Sequence, residues 1–394
     1  MGKNDFQTVV VGGGAIGSAT AYWLAVRGQT DVLVLEQHTT GHGLGSSGDH
    51  SRIIRHSYHD TIYGRLTHRM YDNWARLERE SAQGVFVRTG GLDIAIDGTP
   101  GADIIDNYRR VMASNEIPFD TLDKKQLGER FPQWNILEEE VRATYQEDSG
   151  LIDIRRATLT HLALAESLGV IVKENTAVQV IESFHGGVRI VTGDASYTAD
   201  KVVVAIGSWV DQILGPLGQT WNTTIAEEQI VYVRTPHVKD FSVGRFPVWG
   251  WHGDDLFYGF PTYGEVAVKI GRENLRRFVT QETRSPDPHE DETAVLLDFL
   301  KERLPTAVGP VLYAKTCPYD LPPDRHFILD FLPGHPGVVV GNGAAHAGKF
   351  AGLLGEILSE LAVDGRSSFP IEPFRADRPA LKDPGCIPDF TLKG

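Results

Sequence analysis

The stretch Thr8–Glu36, TVVVGGGAIGSATAYWLAVRGQTDVLVLE, decides the fold class of this 394-residue chain. An apolar, β-branched run leads into Gly12-x-Gly14-x-x-Gly17, and a helix of small residues connects this turn to a second apolar run that closes on Glu36. Gly12 allows the tight turn, Gly14 lets the backbone approach a pyrophosphate, and Gly17 lets the helix pack closely on the strand. The terminal acid can accept the hydroxyls of an adenosine ribose. The stretch therefore predicts a βαβ nucleotide unit, but its motif does not separate NAD from FAD.

The composition favours a soluble enzyme with two lobes. A formal charge of −14 at pH 7 argues against nucleic acid or an anionic membrane surface as the main partner. Two cysteines, Cys317 and Cys386, are too few for a disulfide framework and indicate a reducing, cytoplasmic location. The first residues do not resemble a signal peptide, and the uncharged window Thr8–Val26 belongs to the βαβ unit, so we expect no membrane span.

Three kinds of pattern follow along the chain. Tyr63–Glu80 carries apolar residues at helical spacing and predicts an amphipathic helix. Lys201–Trp209 and Gly337–Phe350 each run from an apolar strand into a glycine turn, which suits a return to the nucleotide-binding sheet. Between Gln229 and Cys317 apolar residues alternate with others, and this predicts an antiparallel sheet with one face covered. Both lobes are therefore expected to be discontinuous in sequence.

Three separated strand-to-glycine turns surround the alternating region, at Gly12–Gly17, Ala205–Ser208 and Gly341–Gly348, and a simple NAD dehydrogenase does not need this pattern. Further specific stretches are Gly45-Ser…Ser51-Arg52-Ile-Ile-Arg55-His56, Tyr258-Gly-Phe260-Pro, Lys269-Ile-Gly, Cys317-Pro-Tyr319 with Asp324-Arg-His-Phe-Ile-Leu-Asp330, and Gly343…His346-Ala-Gly-Lys349-Phe350. On these residues, nearly the whole chain resembles the sarcosine oxidase and N-methyltryptophan oxidase family of FAD-dependent amine oxidases, within the broader D-amino-acid-oxidase-like group.

The resemblance implies the fold and the cofactor. We expect an α/β chain, α+β overall, in which a Rossmann-like FAD-binding domain carries an inserted antiparallel-sheet substrate domain. Residues 1–84, 150–220 and 325–394 are expected to form the discontinuous FAD-binding domain, and residues 85–149 and 221–324 the substrate or catalytic domain. The residues expected to hold FAD are Gly12, Gly14, Ile16, Gly17, Glu36, Ser46, Ser51, Arg52, Val178, Gly207, Trp209, Cys317, Gly343, His346, Gly348 and Lys349.

Cys317 stands where the family attaches the flavin 8-methyl group through a thioether, so the resemblance implies covalent FAD. On the residues alone, Lys315 lies two positions earlier, and its ammonium could favour the thiolate that attachment needs. The alternative is a buried, inert cysteine, which is the common state of a free thiol. Cys386, near the C-terminus, is interpreted as structural or surface-exposed.

Lys269 lies in the apolar, alternating stretch Val266–Ile270, where an inward-facing charge is costly unless it has a function. An outward-facing lysine on a strand edge is the alternative that strand periodicity leaves open. The resemblance implies that Lys269 lies over the flavin ring, near N5 through a water, where its positive charge would activate oxygen.

The resemblance also implies how the substrate is held. Arg55 and Lys349 match the pair that binds the substrate carboxylate, and an arginine can grip both carboxylate oxygens. Arg52 matches a cation beside the flavin, where it stabilises the anionic reduced ring. Tyr258 and Tyr319 match residues of the substrate cavity, although either one alone would more often be a core tyrosine. The full set expected at the reacting end is Lys269, Arg52, Arg55, Lys349, Tyr319, Tyr258 and His346.

Three positions depart from the family's pattern. Gly48 stands where sarcosine oxidases carry a histidine, although His50 is close enough to substitute if the loop shifts. Glu273 replaces a second histidine, which removes a base or dipole and adds an acid. Trp249 replaces a slimmer methionine, with Trp251 on the same strand face, and we expect these aromatic rings to change the size and chemistry of the pocket.

These observations predict a flavin oxidase that converts a secondary amino acid, N-methyl or cyclic, to an imine and hydrogen peroxide. Sarcosine, N-methyltryptophan, pipecolate and cyclic imino acids are all allowed as substrates. Two alternatives stay open: a flavin amino-acid dehydrogenase with a different electron acceptor, and a non-catalytic flavin-binding subunit of a larger complex. No metal-ligand or general-base set is evident, and we expect a monomer that acts with oxygen on a small substrate bearing a carboxylate.

Overall fold

The computed structural model describes residues 4–273 and 275–390, which form twenty β-strands and nine α-helices. Strands β1 to β20 span, in chain order, Asp5–Val11, Val32–Leu35, Arg52–Ile54, Phe86–Arg88, Gly91–Ile96, Asp120–Leu122, Val141–Gln146, Gly150–Ile152, Ile171–Lys173, Val178–Phe184, Gly187–Thr192, Ser196–Val204, Thr224–Val233, Val248–His252, Leu256–Phe260, Val268–Glu273, Phe278–Val279, Val311–Leu321, Ile328–Leu332 and His335–Asn342. Helices α1 to α9 span Ala15–Val26, Thr61–Ser81, Pro100–Ser114, Lys124–Arg130, Ile154–Ser167, Val210–Leu214, Glu290–Arg303, Ala351–Asp364 and Pro379–Lys382. The two ends of the expected FAD-binding domain, 1–3 and 391–394, lie outside the described residues.

The first sheet has eight strands, and its centre is parallel. β20, β12, β1, β2 and β9 lie side by side in parallel, while β10, β11 and β19 make antiparallel pairs. Val10 and Val203 point into one apolar core, and Val9 and Val202 point into another. Burial of both faces explains why these strands are almost continuous runs of valine and leucine. The predicted βαβ unit is confirmed in β1, α1 and β2, and the predicted amphipathic helix is confirmed in α2.

Glycines let helix α1 approach both the nucleotide turn and helix α8. A methyl group at Gly17 would overlap the carbonyl oxygen of Gly12, so the predicted close packing of helix and strand is confirmed. On the other side, a Cβ at Gly355 of α8 would lie 2.5 Å from the carbonyl carbon of Ala19 in α1. These contacts hold the turn against the sheet.

The second sheet has nine strands, β5–β7 and β13–β18. All of its pairs are antiparallel except β5 with β14, which can lie parallel because a long stretch of chain separates them. The predicted antiparallel sheet is therefore confirmed apart from this pair. The short strands β3, β4 and β8 form a third sheet. Within the described ranges, each helix is too short or too polar to cross a membrane.

The expectation that Trp249 and Trp251 reshape the pocket is wrong. Side chains alternate along β14, so both tryptophans point to the face of the sheet opposite to that of Gly250. They pack against Trp134 and Phe299 in an apolar core. Gly250, which has no side chain, is the residue of β14 that lines the cavity described below.

Replacing Gly355 with alanine should destabilise the protein, because the new methyl group has no space between α8 and α1. We expect the free energy of unfolding to fall by about 2 kcal/mol, the usual scale of overpacking. Chemical denaturation measures this change. Gly128→Ala is the matched control, since a Cβ at this position in α4 meets open space and adds helix propensity. A Gly355→Ala variant as stable as the parent protein would contradict the close approach of the two helices.

Candidate active site

One long cavity lies between the carboxyl ends of the parallel strands and one face of the second sheet. The turns after β1, β12 and β20 line one side, and β15, β16 and β18 line the other. Every predicted site residue lines this cavity except Gly17, which packs on Gly12 beneath the turn. Ligands commonly bind at the carboxyl ends of the strands in open α/β sheets. The cavity joins the predicted nucleotide turn to the predicted reacting residues.

The turn after β1 shapes one end of this cavity. Gly12 has a φ of 101°, and a Cβ there would lie 2.5 Å from the carbonyl oxygen of Ala205. Helix α1 begins directly after the turn, and its first N–H groups are available to an anion. Glu36 lies buried after β2 and accepts a hydrogen bond from the amide of Gly13 at 2.7 Å. A glycine cradle, a helix N-terminus and a buried acid fit the pyrophosphate and adenosine ribose of FAD.

The glycine-rich loop after β2 is held by Arg52. The guanidinium of Arg52 donates hydrogen bonds to the carbonyl oxygens of Ser46, Gly48 and Ser51 at 2.7 to 2.8 Å. The hydroxyl of Ser46 donates to the carbonyl oxygen of Pro318 on β18 at 2.6 Å. The loop is thereby tied to the second sheet, and Arg52, a partly buried cation, lines the cavity.

The same loop explains one departure from the family's pattern. A Cβ at Gly48 would lie 2.7 Å from the Cα of Gly43, so the loop has no room for a histidine at this position. His50 does not take its place, because its side chain lies outside the cavity lining and its Nε2 is 3.4 Å from a carboxylate oxygen of Glu265.

Lys269 faces the cavity from β16 and is 3% exposed, which rules out the outward-facing alternative. Its Nζ donates to the carboxylate of Asp49 at 2.5 Å and to the carbonyl oxygen of Ser51 at 3.0 Å. The hydroxyl of Tyr232 donates to the same carboxylate at 2.8 Å. Burial lowers the pKa of Lys269 to about 8, although Asp49 acts in the opposite direction. The side chain is therefore mainly cationic at neutral pH.

Cys317 lies in the cavity wall on β18. Burial raises the pKa of its thiol, while the positive charges of Arg52 and Lys269 act in the opposite direction. Lys315, whose ammonium could favour the thiolate on the sequence alone, is half-exposed, and its Nζ lies 4.0 Å from the carboxylate of Asp49. Arg52, contributed by another part of the chain, has the strongest cationic influence on the thiol.

A buried network holds Arg55 in the cavity wall. Nη1 of Arg55 donates to Asp93 at 2.9 Å, and Nη2 donates to the hydroxyl of Tyr108 at 3.2 Å. Asp93 also accepts a hydrogen bond from Ser57 at 2.8 Å and lies 2.9 Å from Nε2 of His252. Although burial favours the neutral acid, Arg55 and His252 hold the pKa of Asp93 below its ordinary value. The charge of Arg55 is thus matched by a carboxylate.

Lys349 differs from the other cavity cations, because no carboxylate lies within ion-pair distance of it in the described residues. Its Nζ donates to the hydroxyl of Tyr58 at 3.2 Å and to the carbonyl oxygen of His346 at 3.1 Å. The ring nitrogens of His346 lie 3.1 Å from the hydroxyl of Tyr58 and 2.9 Å from the carbonyl oxygen of Arg325. Burial and the charge of Arg55 lower the pKa of Lys349 to about 7. An anionic ligand would stabilise its charged form.

Tyrosines and one acid supply further polar groups at this end. In the described part of the chain, no cluster of His, Cys, Asp or Glu could hold a metal ion. Tyr258 and Tyr319 line the cavity with their hydroxyls 3.4 Å apart. Burial raises the pKa of both hydroxyls, so both side chains stay neutral. Glu273, at the end of β16, lines the cavity and lies 2.7 Å from the guanidinium of Arg325.

Asp49, Asp93 and Tyr58 are among the polar residues of the site that escaped the sequence analysis. Asp93 had a detectable signal, since it is an acid inside the apolar strand Gly91–Ile96, as Lys269 is a base inside its own strand. Asp49 and Tyr58 lie in loops, where strand or helix periodicity gives no signal. Their contacts become visible only when the loops are placed against the second sheet.

Acetate binding to the holoprotein should depend on the protonation of Lys349. Because the pKa of Lys349 is lowered to about 7, its side chain is cationic below that pH and increasingly neutral above it. An anion favours the cationic form, so we expect acetate affinity to fall by up to about tenfold per pH unit above this pKa. Calorimetric titration from about pH 6 to about pH 9 measures this fall. Lys349→Arg should hold the affinity level, whereas a level profile in the unmodified protein would contradict the assignment.

Comparison with known proteins gives the family. A family model described as FAD dependent oxidoreductase matches residues 7–361. The monomeric sarcosine oxidase of Streptomyces avermitilis is 32% identical over 375 residues, which cover 93% of this chain and 96% of that protein. The N-methyl-L-tryptophan oxidase of Salmonella dublin is 29% identical over 384 residues, which cover 95% of this chain and 99% of that protein.

Solved structures share the fold. NikD, an unusual amino acid oxidase essential for nikkomycin biosynthesis, is 27% identical with a TM-score of 0.84, covering 95% of this chain and 98% of its own. L-proline dehydrogenase from P. horikoshii, at 20% identity, has a TM-score of 0.81 over 95% of this chain and 97% of its own. The family match, the shared fold and the glycine cradle that fits FAD agree: this chain belongs to the DAO family of FAD-dependent oxidoreductases.

Proposed function

We propose that the protein is an oxidase that takes two electrons from the C–N bond of a secondary amino acid, N-methyl or cyclic, and passes them to oxygen. The observation that carries the proposal is Lys349, a partly buried cation that has no carboxylate contact among the described residues and lies near Arg55 in the cavity. An amino acid supplies a carboxylate one atom away from the C–N bond to be oxidised. The relatives named sarcosine oxidase and N-methyl-L-tryptophan oxidase support the same substrate class.

Residues at the two ends of the cavity have different roles. Gly12, Gly14 and Glu36 would hold the pyrophosphate and adenosine of FAD, and bound FAD supplies the two-electron oxidation. Lys349 and Arg55 bind the substrate carboxylate and so orient the neighbouring C–N bond. The product imine of an N-methyl substrate is hydrolysed to an amine and an aldehyde, whereas a cyclic substrate leaves a cyclic imine.

Three further side chains complete the reacting end. Tyr258 and Tyr319 form the cavity wall and exclude bulk water, which strengthens the charge interactions inside. Lys269 keeps a positive charge in the wall, where it would stabilise the negative charge that develops on oxygen as oxygen is reduced. A buried lysine in this position favours oxygen as the acceptor over a dehydrogenase that uses a different one.

The proposed function is tested by oxygen uptake with a panel of N-methyl and cyclic amino acids. At least one member should consume oxygen and yield an equal amount of hydrogen peroxide. Lys349→Met should lower kcat/KM for that substrate about 100-fold, the scale for loss of a buried charge contact. Lys239→Met, which removes an exposed lysine, is the control and should leave kcat/KM unchanged. Flavin-loaded protein that consumes no oxygen with any panel member would contradict the proposal.

We also propose that FAD is attached through Sγ of Cys317. The support is the position of the thiol in the cavity wall, within the electrostatic influence of Arg52 and Lys269. Acid precipitation should leave the yellow colour in the pellet for the unmodified protein and for Cys386→Ser. With Cys317→Ser the colour should move to the supernatant. A yellow supernatant from the unmodified protein would show that the cofactor is not attached.

We also propose that the protein is a monomer and is located in the cytoplasm. The sarcosine oxidase of Streptomyces avermitilis carries the word monomeric in its name, and neither Cys317 nor Cys386 forms a disulfide in the structure. Cysteines outside disulfides are usual in a reducing compartment.

A further inference from the structure

Glu273 places a carboxylate in the substrate end of the cavity. Side chains alternate along β16, so Glu273 shares a face with Gly271 and with Lys269. Gly271 leaves room for the ring of Tyr258, since a Cβ there would lie 2.6 Å from that ring. Glu273 therefore follows the buried lysine on the cavity face of the sheet, and its side chain is 15% exposed.

Arg325 holds one oxygen of this carboxylate. Arg325 is 1% exposed, and its Nη1 donates to Oε1 of Glu273 at 2.7 Å and to the carbonyl oxygen of Phe390 at 2.7 Å. Its Nε and Nη2 have no partner in the described structure, so Glu273 is the carboxylate on which this buried cation depends. Within the described ranges, Oε2 of Glu273 accepts no hydrogen bond. The carboxylate is thus fixed through one oxygen, and the other remains available.

Asp49 and Asp93, two other carboxylates near the reacting end, are occupied. Asp49 accepts hydrogen bonds from Lys269 and Tyr232, and Asp93 is held by Arg55 and by two further donors. Glu273 differs from both, because it lines the cavity and only its Oε1 accepts a hydrogen bond from the described residues. A carboxylate with an unused oxygen can receive a proton or a cation from a bound ligand.

The charged and titratable groups that face Glu273 come from several parts of the fold. Its negative charge acts on Lys349, on Arg325 and on the hydroxyls of three tyrosines, which are Tyr58, Tyr108 and Tyr319. Lys349 is the cation without a carboxylate contact among the described residues. Among the described residues, the cavity therefore presents a cation without a carboxylate contact and a carboxylate that is hydrogen-bonded through one oxygen, within electrostatic reach of each other, which is the charge pattern that complements a zwitterion.

A free amino acid arrives with its carboxylate ionised and its amine mainly protonated at neutral pH. An ammonium has no lone pair, so it must lose one proton before electrons can leave the C–N bond. Building on the oxidase function proposed above, we infer that Glu273 is a further catalytic residue, which contacts the substrate ammonium and accepts one of its protons. An N–H bond breaks, an O–H bond forms on Glu273, and the electron pair stays on nitrogen as the neutral amine.

A pair of non-reacting ligands tests the contact without turnover. Trimethylglycine and 3,3-dimethylbutanoate have the same shape, but only trimethylglycine carries a positive charge at the position of the substrate nitrogen. Binding to the holoenzyme is followed by the change in flavin absorbance. We expect trimethylglycine to bind about tenfold more tightly, as one partly solvated charge contact allows. Equal affinity, or tighter binding of 3,3-dimethylbutanoate, would overturn the assignment even without a variant.

Variants then assign the effect to Glu273. Glu273→Gln should reduce the affinity ratio of the two ligands to about one, because the charge is lost and the shape is kept. Glu265→Gln is the matched control, since Glu265 is partly exposed and pairs with His50 away from the cavity lining. Glu273→Asp keeps the charge, serves as a second variant if loss of the Arg325 partner harms folding, and should retain a ratio above one. A ratio that Glu273→Gln leaves unchanged would overturn the assignment.

The pH profile of kcat/KM tests the proton transfer itself. In Glu273→Gln the acidic limb should move up toward the pKa of the substrate ammonium, with a loss of at least about tenfold near pH 7 and recovery at high pH. An unchanged profile, with substrate still oxidised, would overturn the role of Glu273 and leave the oxidase function standing. If no amino acid is oxidised, the oxidase function fails, while the ligand pair still reports whether Glu273 provides a negative site.

Discussion

The matching of buried charges is the constraint on which the reacting end of this protein depends. A buried cation is costly unless an anion lies beside it, and the structure supplies Asp49 for Lys269 and Asp93 for Arg55. Lys349 has no such carboxylate within the described residues, and burial lowers its pKa to about 7. This missing negative charge is the strongest indication in the cavity that its ligand is an anion. A substrate carboxylate fits that requirement directly.

The two sheets make this arrangement possible by contributing different things. The carboxyl ends of β1, β2, β12 and β20 supply a turn, an acid and backbone amides, which suit the long, anionic part of a dinucleotide. The second sheet supplies one of its faces to the cavity. Because side chains alternate between the two faces along β14 to β16, the strand register decides which side chains lie on the cavity face. Gly250 and Gly271 leave space on that face, while Lys269 and Glu273 occupy it. The large tryptophans of β14 point the other way and stabilise the sheet.

Much of the fold could be predicted because its signals are local. The spacing of Gly12, Gly14 and Gly17 between two apolar runs defines a turn whose packing the structure reproduces. The place of Lys269 in an apolar strand favoured its burial, although strand periodicity left an outward-facing side chain open. The structure excludes the outward-facing alternative, because the side chain of Lys269 is buried and lines the cavity.

Other features could not be predicted because they depend on tertiary contacts. The partners of Lys269 and Arg55 lie 220 and 38 residues away in sequence, and nothing local marks them as partners. The interpretation of Trp249 was wrong, because matching a strand position to a family does not show on which face of the sheet the side chain lies. For a related reason, the sequence could not show that Arg52, which lies on a different sheet, acts on the thiol of Cys317.

We propose that Lys349, a partly buried cation without a carboxylate contact among the described residues, selects a substrate by its carboxylate. The most direct measurement is the rate of flavin bleaching without oxygen, for the most active amino acid and for the amine that lacks only its carboxylate. We expect the amino acid to reduce the flavin at least about 100-fold faster at equal concentration, because the amine cannot fill the site at Lys349. Equal rates for the two compounds would contradict it.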